Sequence, residues 1–294
     1  MAVSVITDST SYVPRDMRRE LKMGVVGLSS LLGGVIYADD AEDYEPFYTA
    51  LEATSEMPTT SQPAVQDLVD VIESRVEAGD EVVGVFISSA MSGTFETAQL
   101  ARTMVLERVP DAKIELVDSR SNSMQLGLCA LQAARVAEKG GTMENVAQAA
   151  RDTTMRTRFL FTPHDLEYLK RGGRIGGASA LFGALRQVRP ILTVENGVVD
   201  VWAKIRTKRR AMERVVDDIA EESRRATLEE VVIHHIDDVP ESEQLAALLA
   251  EKIDMEVRTV AIGPVVGLHV GPGTVGVVIR TRDEVRTLKE VHQG

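Results

Sequence analysis

The sequence lacks several features that would assign it to a protein class at once. Its 294 residues contain one cysteine, one tryptophan and only 4% aromatic residues. The single Cys129 excludes an internal disulfide, and no cysteine or histidine pair lies nearby at metal-ligand spacing, so we expect a buried structural thiol. No run of about 18 apolar residues occurs, and residues 1–7 carry no basic segment leading into a long apolar stretch. These absences predict a cytoplasmic protein that is neither inserted into a membrane nor exported.

The chain is also short of positive charge. Its formal net charge is −12 at pH 7, which argues against nucleic acid as the main partner, because phosphate binding needs a concentrated positive surface. Residues 156–214 differ from the remainder, since they contain 13 Lys and Arg against 5 Asp and Glu. This basic segment is either the solvated face of a helical domain or a surface that docks an acidic partner or a phosphate.

The length of the chain exceeds that at which single hydrophobic cores stop growing, which predicts two domains. The hydrophobic pattern predicts that both are α/β domains. In the first half, short apolar runs at Val3–Thr7, Val82–Ile87 and Ile114–Val117 alternate with amphipathic stretches, which predicts a parallel sheet. A strand at Arg158–Thr162 then leads into a glycine-rich, basic helical region ending near Gln187. Beyond it, a hairpin turning at Asn196-Gly197 and further alternating elements predict a mixed sheet with helices on one face.

Three polar clusters follow predicted strands of the first half. They are Asp8-Ser9-Thr10-Ser11, Ser88 to Thr94, and Asp118-Ser119. The carboxyl ends of parallel strands line one crevice, so we expect the clusters to meet there. Ser92-Gly93-Thr94 lies at the start of a predicted helix, whose N–H groups and dipole attract anions. Helix capping is the simpler interpretation of each cluster, but an anion site explains Ser92-Gly93-Thr94 better.

Three further segments allow two interpretations each. Thr59-Thr60-Ser61-Gln62-Pro63 precedes a predicted helix that starts near Pro63, and on its own it is best read as a cap. Residues 263–273 are too rich in glycine and proline for a helix or strand, and they embed His269 as either a structural residue or a hydrogen-bond donor. Leu166 to Gly176 is either a helix C-cap with dipole-compensating cations or a set of cations that converges on one anion.

Several enzyme motifs are missing from the sequence. There is no P-loop, and the G-x-G-x-x-G match at Gly271–Gly276 leads into a strand, where it has no meaning for dinucleotide binding. Ala90 stands where a hydrolase nucleophile elbow centred on Ser92 needs glycine. Asp8 lacks the second aspartate of a phosphatase motif. These absences count against a self-sufficient enzyme.

Taken in order, these segments resemble the DegV family, the bacterial fatty-acid-binding proteins also called FakB. The resemblance spans nearly the whole chain and includes eight collinear segments. The matching segments are Asp8-Ser9-Thr10-Ser11, Thr60-Ser61-Gln62-Pro63, Ser88-Ser89 with Ser92-Gly93-Thr94, Asp118-Ser119, Leu166 to Gly176, Arg189-Pro190-Ile191-Leu192, Lys204 to Ala211, and Gly267 to Gly276.

The resemblance implies an N-terminal three-layer α/β/α parallel-sheet domain over residues 1–156 and a C-terminal two-layer α/β domain with a mixed sheet over residues 157–294. A long-chain fatty acid would lie between them with its tail buried. Its carboxylate would be bound at Thr60, Ser92, Gly93 and His269. The family implies no catalytic residue, metal or cofactor in this chain.

The resemblance also implies a protein partner. A separate fatty acid kinase subunit would bind ATP and convert the presented carboxylate to an acyl phosphate for phospholipid synthesis. Arg206 matches the region used for kinase docking, and Lys170, Arg171 and Arg174 are candidates to face the phosphate. Two alternatives stay open: a self-sufficient hydrolase or phosphatase that uses Ser92 or Asp8, and a regulatory module that binds a partner without lipid.

Overall fold

The computed structural model describes residues 2–181 and 189–293. The chain divides into two units, the first formed by Met1–Glu42 with Pro58–Thr154 and the second by Asp43–Met57 with Met155–Gly294. The chain therefore enters the second unit early, returns to the first, and crosses again near residue 155. The sequence predicted one division, between residues 156 and 157, and did not predict the excursion of residues 43–57.

The secondary structure alternates between strands and helices through most of the chain. In chain order the strands are β1 Val3–Asp8, β2 Gly24–Val26, β3 Ser29–Leu32, β4 Val35–Ala38, β5 Thr59–Ser61, β6 Glu81–Phe86, β7 Ile114–Asp118, β8 Thr157–Thr162, β9 Arg189–Glu195, β10 Val198–Ile205, β11 Leu228–Ile236, β12 Arg258–Ala261 and β13 Thr274–Thr281. The helices are α1 Arg15–Glu20, α2 Glu45–Glu52, α3 Val65–Glu77, α4 Thr94–Arg108, α5 Ser123–Glu138, α6 Met143–Met155, α7 Glu167–Arg171, α8 Lys208–Arg225, α9 Val239–Ala250, α10 Pro264–Val270 and α11 Leu288–Gln293.

The main sheet of the first unit has the strand order β2-β1-β6-β7, and every neighbouring pair is parallel. Residues 82–86 of β6 are all buried, which is typical of a parallel strand covered on both faces. Helices α3 and α4 pack against the sheet in one core cluster, to which Leu68, Ile72 and Val105 contribute. Helix α5 contacts β1 and β6 and contributes no side chain to that cluster. The predicted parallel-sheet α/β domain is confirmed.

A small antiparallel sheet with the strand order β4-β3-β5 accompanies the main sheet. Its β3–β4 hairpin turns at Gly33 and Gly34, whose φ angles of 57° and 79° suit glycine. Residues 59–63 were interpreted as a cap of a helix starting near Pro63, but residues 59–61 pair with β3 as strand β5, and α3 begins only at Val65. The local sequence is too short and polar to indicate this pairing.

The second unit contains a sheet with the strand order β10-β9-β8-β13-β11-β12. Only the β11–β12 pair is parallel among the pairings of this sheet within the described ranges, so the predicted mixed sheet is confirmed. Asn196 and Gly197 have φ angles of 55° and 87° in the predicted hairpin. Helices α8 and α9 cover the sheet through a core that includes Val215 and Leu249.

One prediction about the second unit was wrong. Residues 264–270 form helix α10, although the glycine and proline content of this segment argued against any helix. Pro264 occupies the first turn, where its missing N–H is harmless. Val265, Val266 and Leu268 are buried, so burial of apolar side chains outweighs weak helix propensity. Gly271, with a φ angle of 91°, ends the helix.

The predicted basic helical region is shorter than expected in its described part. It consists of α7 and a 3₁₀ turn over Gly176–Leu181, and its predicted end near Gln187 lies outside the described residues. Across residues 2–181 and 189–293, none of the helices combines the length and apolarity needed to cross a membrane.

Candidate functional site

The polar clusters of the first unit gather at one edge of the parallel sheet, as predicted. The loop after β6 is held by carboxylates from the two neighbouring strands. Asp8, at the end of β1, accepts a hydrogen bond from the Ile87 N–H at 2.8 Å. Asp118, at the end of β7, accepts one from the Ser89 hydroxyl at 2.6 Å. The two aspartates therefore fix the position of the loop that leads to Ser92.

The carboxylate of Asp8 is completely buried. Besides the Ile87 N–H, it accepts hydrogen bonds from the N–H and the hydroxyl of Thr10. Burial raises the pKa of Asp8 from 3.8 to about 6, because desolvation of the charge outweighs the hydrogen bonds that favour it. Both oxygens are engaged and shielded from solvent, so Asp8 organises the loops and is not exposed to a substrate.

Ser92 and Thr94 lie at the start of helix α4. The Ser92 and Thr94 hydroxyl oxygens are 2.9 Å apart, and the Thr94 N–H donates to Ser92 Oγ at 3.3 Å. The N-cap residue of α4 is Gly93, which makes no side-chain cap, and Ser92 precedes it as a half-buried residue. Gly93 is exposed between Ser92 and Thr94, and a Cβ atom at this position would collide with the side chain of Gln62. The side chains of this segment therefore do not form an N-cap of α4, and the N-terminus of the helix offers an anion its backbone N–H groups.

Thr60 lies on the neighbouring strand β5, directly opposite Ser30 of β3. Gln62 follows two residues later, and its amide is the group that packs against Gly93. The structure therefore brings the Thr60 segment and the Ser92-Gly93-Thr94 loop together within the first unit, as the proposed head-group set requires.

His269 lies in the last turn of helix α10, in the second unit. Its Nδ1 atom is buried and has no hydrogen-bond partner among the described residues. Burial, together with a smaller effect of the nearby charge of Arg174, lowers the pKa of His269 from 6.5 to about 4. His269 is therefore neutral near pH 7 and has one ring nitrogen without a protein partner.

The basic block at Lys170 to Arg174 packs against His269. Gly172 lies so close to the imidazole ring that a Cβ at that position would collide with Nδ1. The Gly173 N–H donates to the Lys170 carbonyl and the Arg174 N–H donates to the Leu169 carbonyl, which is a Schellman motif. Gly173 takes the left-handed conformation that the motif needs, with a φ angle of 70°. The paired glycines thus end helix α7 and admit the histidine ring at the same point.

The cations of the basic segment have different environments. Lys170, Arg171 and Arg174 are exposed, but Arg171 pairs with Glu167 at 3.1 Å and Arg174 Nη1 donates to the Gly172 carbonyl at 2.7 Å. Arg206 is exposed in the turn between β10 and α8, where it lines a shallow groove together with the cations Lys204, Arg210 and Arg214 and the acidic residues Glu213 and Asp217. Lys170, Arg171 and Arg174 are not among the residues that line this groove.

Sequence reasoning missed Tyr48, which supports helix α10. Tyr48 belongs to helix α2 in the 43–57 excursion and is only 2% exposed. Its hydroxyl donates to the Ile262 and Gly263 carbonyls, at 2.7 and 3.1 Å, just before α10 begins. The same hydroxyl occupies the space in which a side chain at position 267 would lie. Tyr48 therefore fixes the start of the helix that carries His269.

Two further polar residues near the loop were also missed. Asn122 Nδ2 lies 3.3 Å from the sulfur of Met91, next to Ser92 in the chain. Asn122 Oδ1 and the Ser123 hydroxyl are buried and have no hydrogen-bond partner among the described residues. Nothing in the sequence distinguishes them from ordinary residues at the start of a helix.

No group of three or more His, Cys, Asp or Glu residues within the described ranges is arranged to hold a metal ion.

The fold and the site define a two-unit α/β protein in which hydroxyl- and glycine-rich loops follow the strands of a parallel sheet. A family model described as an uncharacterised protein of the DegV family matches residues 2–282. The chain is also similar to a DegV domain-containing protein of Clostridium acetobutylicum, with 44% identity over 286 residues that cover 97% of this chain and 100% of that protein. The chain therefore belongs to the DegV family.

Solved structures agree with this assignment. The fold is similar to that of a DegV family protein from Thermus thermophilus described by its fatty acid binding, with a TM-score of 0.84 and 30% identity over 96% of this chain and 100% of that one. It is also similar to a stearic-acid-binding protein from Eubacterium ventriosum, with a TM-score of 0.87 and 25% identity over 95% of this chain and 98% of that one.

The raised pKa of Asp8 predicts a pH-dependent contribution to stability. An acid whose pKa is higher in the folded than in the unfolded protein favours folding below the unfolded value of 3.8, and this contribution is lost as the pH rises through about 6. We expect the free energy of unfolding of the wild type, relative to Asp8→Asn, to fall by about 2.4 kcal/mol between pH 4 and pH 7, because at pH 4 the unfolded carboxyl is already partly ionised. Urea unfolding at several pH values measures this difference.

Asp111→Asn, at an exposed position, is the control for the loss of an aspartate. If the difference in the free energy of unfolding between the wild type and Asp8→Asn stays constant with pH, the Asp8 carboxyl does not titrate in this range.

The contacts of Tyr48 predict coupling between positions 48 and 267. Tyr48→Phe removes a donor from two carbonyls and should lower the free energy of unfolding by about 1–2 kcal/mol. Gly267→Ala should be more harmful in the wild type than in Tyr48→Phe, because the phenylalanine lacks the hydroxyl that lies closest to the new methyl group, although ring carbons at 2.8 and 3.0 Å remain close. A double-mutant cycle measured by urea unfolding reports this difference.

Ser55→Ala, at an exposed position of the same excursion, is the control. It should change neither the free energy of unfolding nor the effect of Gly267→Ala. Strictly additive effects of the two substitutions would contradict the assigned contact between the Tyr48 hydroxyl and Gly267.

Proposed function

We propose that this chain binds a long-chain fatty acid and presents its carboxylate to a separate ATP-dependent fatty acid kinase subunit. The observation that carries the proposal is the close approach of the Thr60 segment to the Ser92-Gly93-Thr94 loop through Gln62 and Gly93. This polar arrangement occurs in a chain whose solved relatives include fatty-acid-binding and stearic-acid-binding proteins.

The residues of this set suit a carboxylate. Thr60 and Ser92 supply hydroxyl donors, Gly93 supplies a backbone N–H at the start of a helix, and the imidazole of His269 supplies a further polar group. Hydrogen bonds to an ionised acceptor are stronger than those between neutral groups. Because His269 is neutral near pH 7, one of its nitrogens carries a hydrogen that can be donated, while the other does not. In this proposal the carboxylate is bound by Thr60, Ser92, Gly93 and His269.

The acyl chain supplies most of the affinity in this account. Removing about 15 methylene groups from water contributes on the order of 12 kcal/mol before the costs of association and ordering are subtracted. The polar contacts then mainly determine the position and orientation of the carboxylate. Orientation matters because transfer of a phosphoryl group needs the attacking oxygen in line with the leaving group.

The chemistry is assigned to a partner because this chain offers no nucleotide motif for ATP. Lys170, Arg171 and Arg174 belong to the segment whose Gly172 lies against His269, and their positive charge suits a phosphoryl group. Arg206 and its neighbours form a second basic surface, which suits docking of the kinase subunit. In this proposal the product is an acyl phosphate destined for phospholipid synthesis, and the chain itself performs no catalysis.

The alternative, a self-sufficient hydrolase or phosphatase, finds less support. Asp8 is completely buried and both its oxygens accept hydrogen bonds from the protein, so it is a poor nucleophile. Ser92 pairs with Thr94, and a threonine hydroxyl is not a general base at neutral pH. Both residues therefore fit structural or binding roles better than catalytic ones.

The proposal predicts a separation between binding and turnover. The double variant Ser92→Ala with His269→Ala should still bind palmitate, because the buried acyl chain supplies most of the binding free energy, although each lost hydrogen bond to the carboxylate weakens binding by about tenfold or more. Acyl phosphate formation by the kinase subunit of the same cell should fall by about 100-fold or more, because the carboxylate is no longer oriented. Calorimetry with palmitate and a coupled assay of ADP release measure the two quantities.

Arg206→Glu provides the contrasting variant, since it should bind palmitate like the wild type and fail to support turnover with the kinase. Unchanged turnover in the double variant would contradict the head-group assignment. Ester or phosphate hydrolysis by the purified chain without ATP or partner would favour the alternative.

A further inference from the structure

Ser30 has an unusual environment in strand β3. The residue is only 1% exposed, and its hydroxyl has no hydrogen-bond partner among the described residues. A buried hydroxyl without a partner is unfavourable, because it loses its hydrogen bonds to water and gains none in return. A serine in such a position suggests that its partner is a group that binds to the protein.

The register of the small sheet places Ser30 beside Thr60. The two residues are directly opposite each other in the antiparallel β3–β5 pair, so their side chains project from the same face of the sheet with Cβ atoms about 5 Å apart. Leu32, two residues further along β3, is buried on that same face, whereas Leu31 between them is 42% exposed. The face that carries Ser30 and Thr60 is therefore the buried face.

The base of the hairpin is fixed to the loops at the end of the parallel sheet. The Leu28 N–H donates to the Ser9 hydroxyl at 3.0 Å, and the Ser9 hydroxyl donates to Asp39 at 2.9 Å. Ser9 directly follows Asp8, whose carboxylate binds the Ile87 N–H. The strand that carries Ser30 is therefore held to the same edge of the sheet as the loop that carries Ser92.

We propose that Ser30 is a further carboxylate-binding residue, whose hydroxyl donates to the oxygen that Thr60 binds. This assignment rests on the proposed function, in which the ligand is a fatty acid. A carboxylate oxygen has two lone pairs and can accept from both hydroxyls. Because the Ser30 hydroxyl has no protein acceptor within the described residues, it can turn toward the ligand without breaking an existing bond.

The test compares ligands with and without a carboxylate. Ser30→Ala should weaken palmitate binding by about tenfold or more, which is the value of a hydrogen bond to a charged group. Binding of hexadecanol, which has the same chain but no carboxylate, should change much less. Fluorescence displacement with delipidated protein measures both affinities, and Ser30→Thr, which keeps the hydroxyl, should restore palmitate binding.

Thermal unfolding provides a second readout that a purely structural role would not reproduce. Without ligand, Ser30→Ala should have an equal or higher Tm, because a buried unpaired hydroxyl is removed. With saturating palmitate, its Tm should be lower than that of the wild type. Ser29→Ala, on the opposite face of the same strand, is the matched control and should leave both measurements unchanged.

The outcomes separate this assignment from the proposed function. Wild-type protein that binds neither palmitate nor hexadecanol would overturn the proposed function and this assignment with it. Wild-type binding together with unchanged palmitate affinity in Ser30→Ala, or equal losses for palmitate and hexadecanol, would overturn the role of Ser30 alone.

Discussion

The organisation of the first unit depends on a carboxylate that is buried at the end of its central strand. The Asp8 carboxylate accepts hydrogen bonds from the N–H groups of Thr10 and Ile87. It therefore connects the turn after β1 to the loop after β6. A buried charge is tolerated only when its hydrogen bonds are satisfied. The turns around Asp8 must therefore keep their geometry, and that geometry determines where Ser9, Ser92 and the β3–β4 hairpin lie.

The second constraint on the structure is that side chains from distant segments pack directly against three glycines. At Gly93, Gly172 and Gly267, an added Cβ would collide with Gln62, His269 and Tyr48 respectively. At these positions a side chain from a distant segment lies directly against the glycine backbone: the end of the flexible Gln62 side chain at Gly93, and an aromatic ring or its hydroxyl at Gly172 and Gly267. In the first unit this brings the Thr60 segment to the Ser92 loop. In the second unit it places the basic block beside His269 and Tyr48 beside the helix that carries it.

The sequence predicted the parts of the fold that depend on local patterns. The parallel sheet follows from its apolar runs, and the β9–β10 hairpin follows from Asn196-Gly197, since both signals lie within a few residues. The placement of Asp8, Ser92 and Asp118 at one sheet edge follows from the same reasoning. The resemblance to the DegV family was confirmed, because it used segments distributed over almost the whole chain.

The remaining features depend on contacts between segments distant in the chain. Tyr48 was missed because its role requires the 43–57 excursion to pack in the second unit, and nothing in the helix pattern reveals that partner. Helix α10 was missed because burial of Val265, Val266 and Leu268 overrides a composition that disfavours helices. Ser30 has significance only through its register with Thr60, and strand β5 has too few residues to be predicted.

The central claim is that this protein holds a long-chain fatty acid by its carboxylate. Organic extraction of the protein as purified, followed by quantitative mass spectrometry, tests this claim most directly. We expect long-chain fatty acid in an amount close to one molecule per chain, and the extract will also define chain length and unsaturation. Fatty acid no more abundant than in an unrelated protein purified from the same cells, together with no uptake of added palmitate, would contradict the claim.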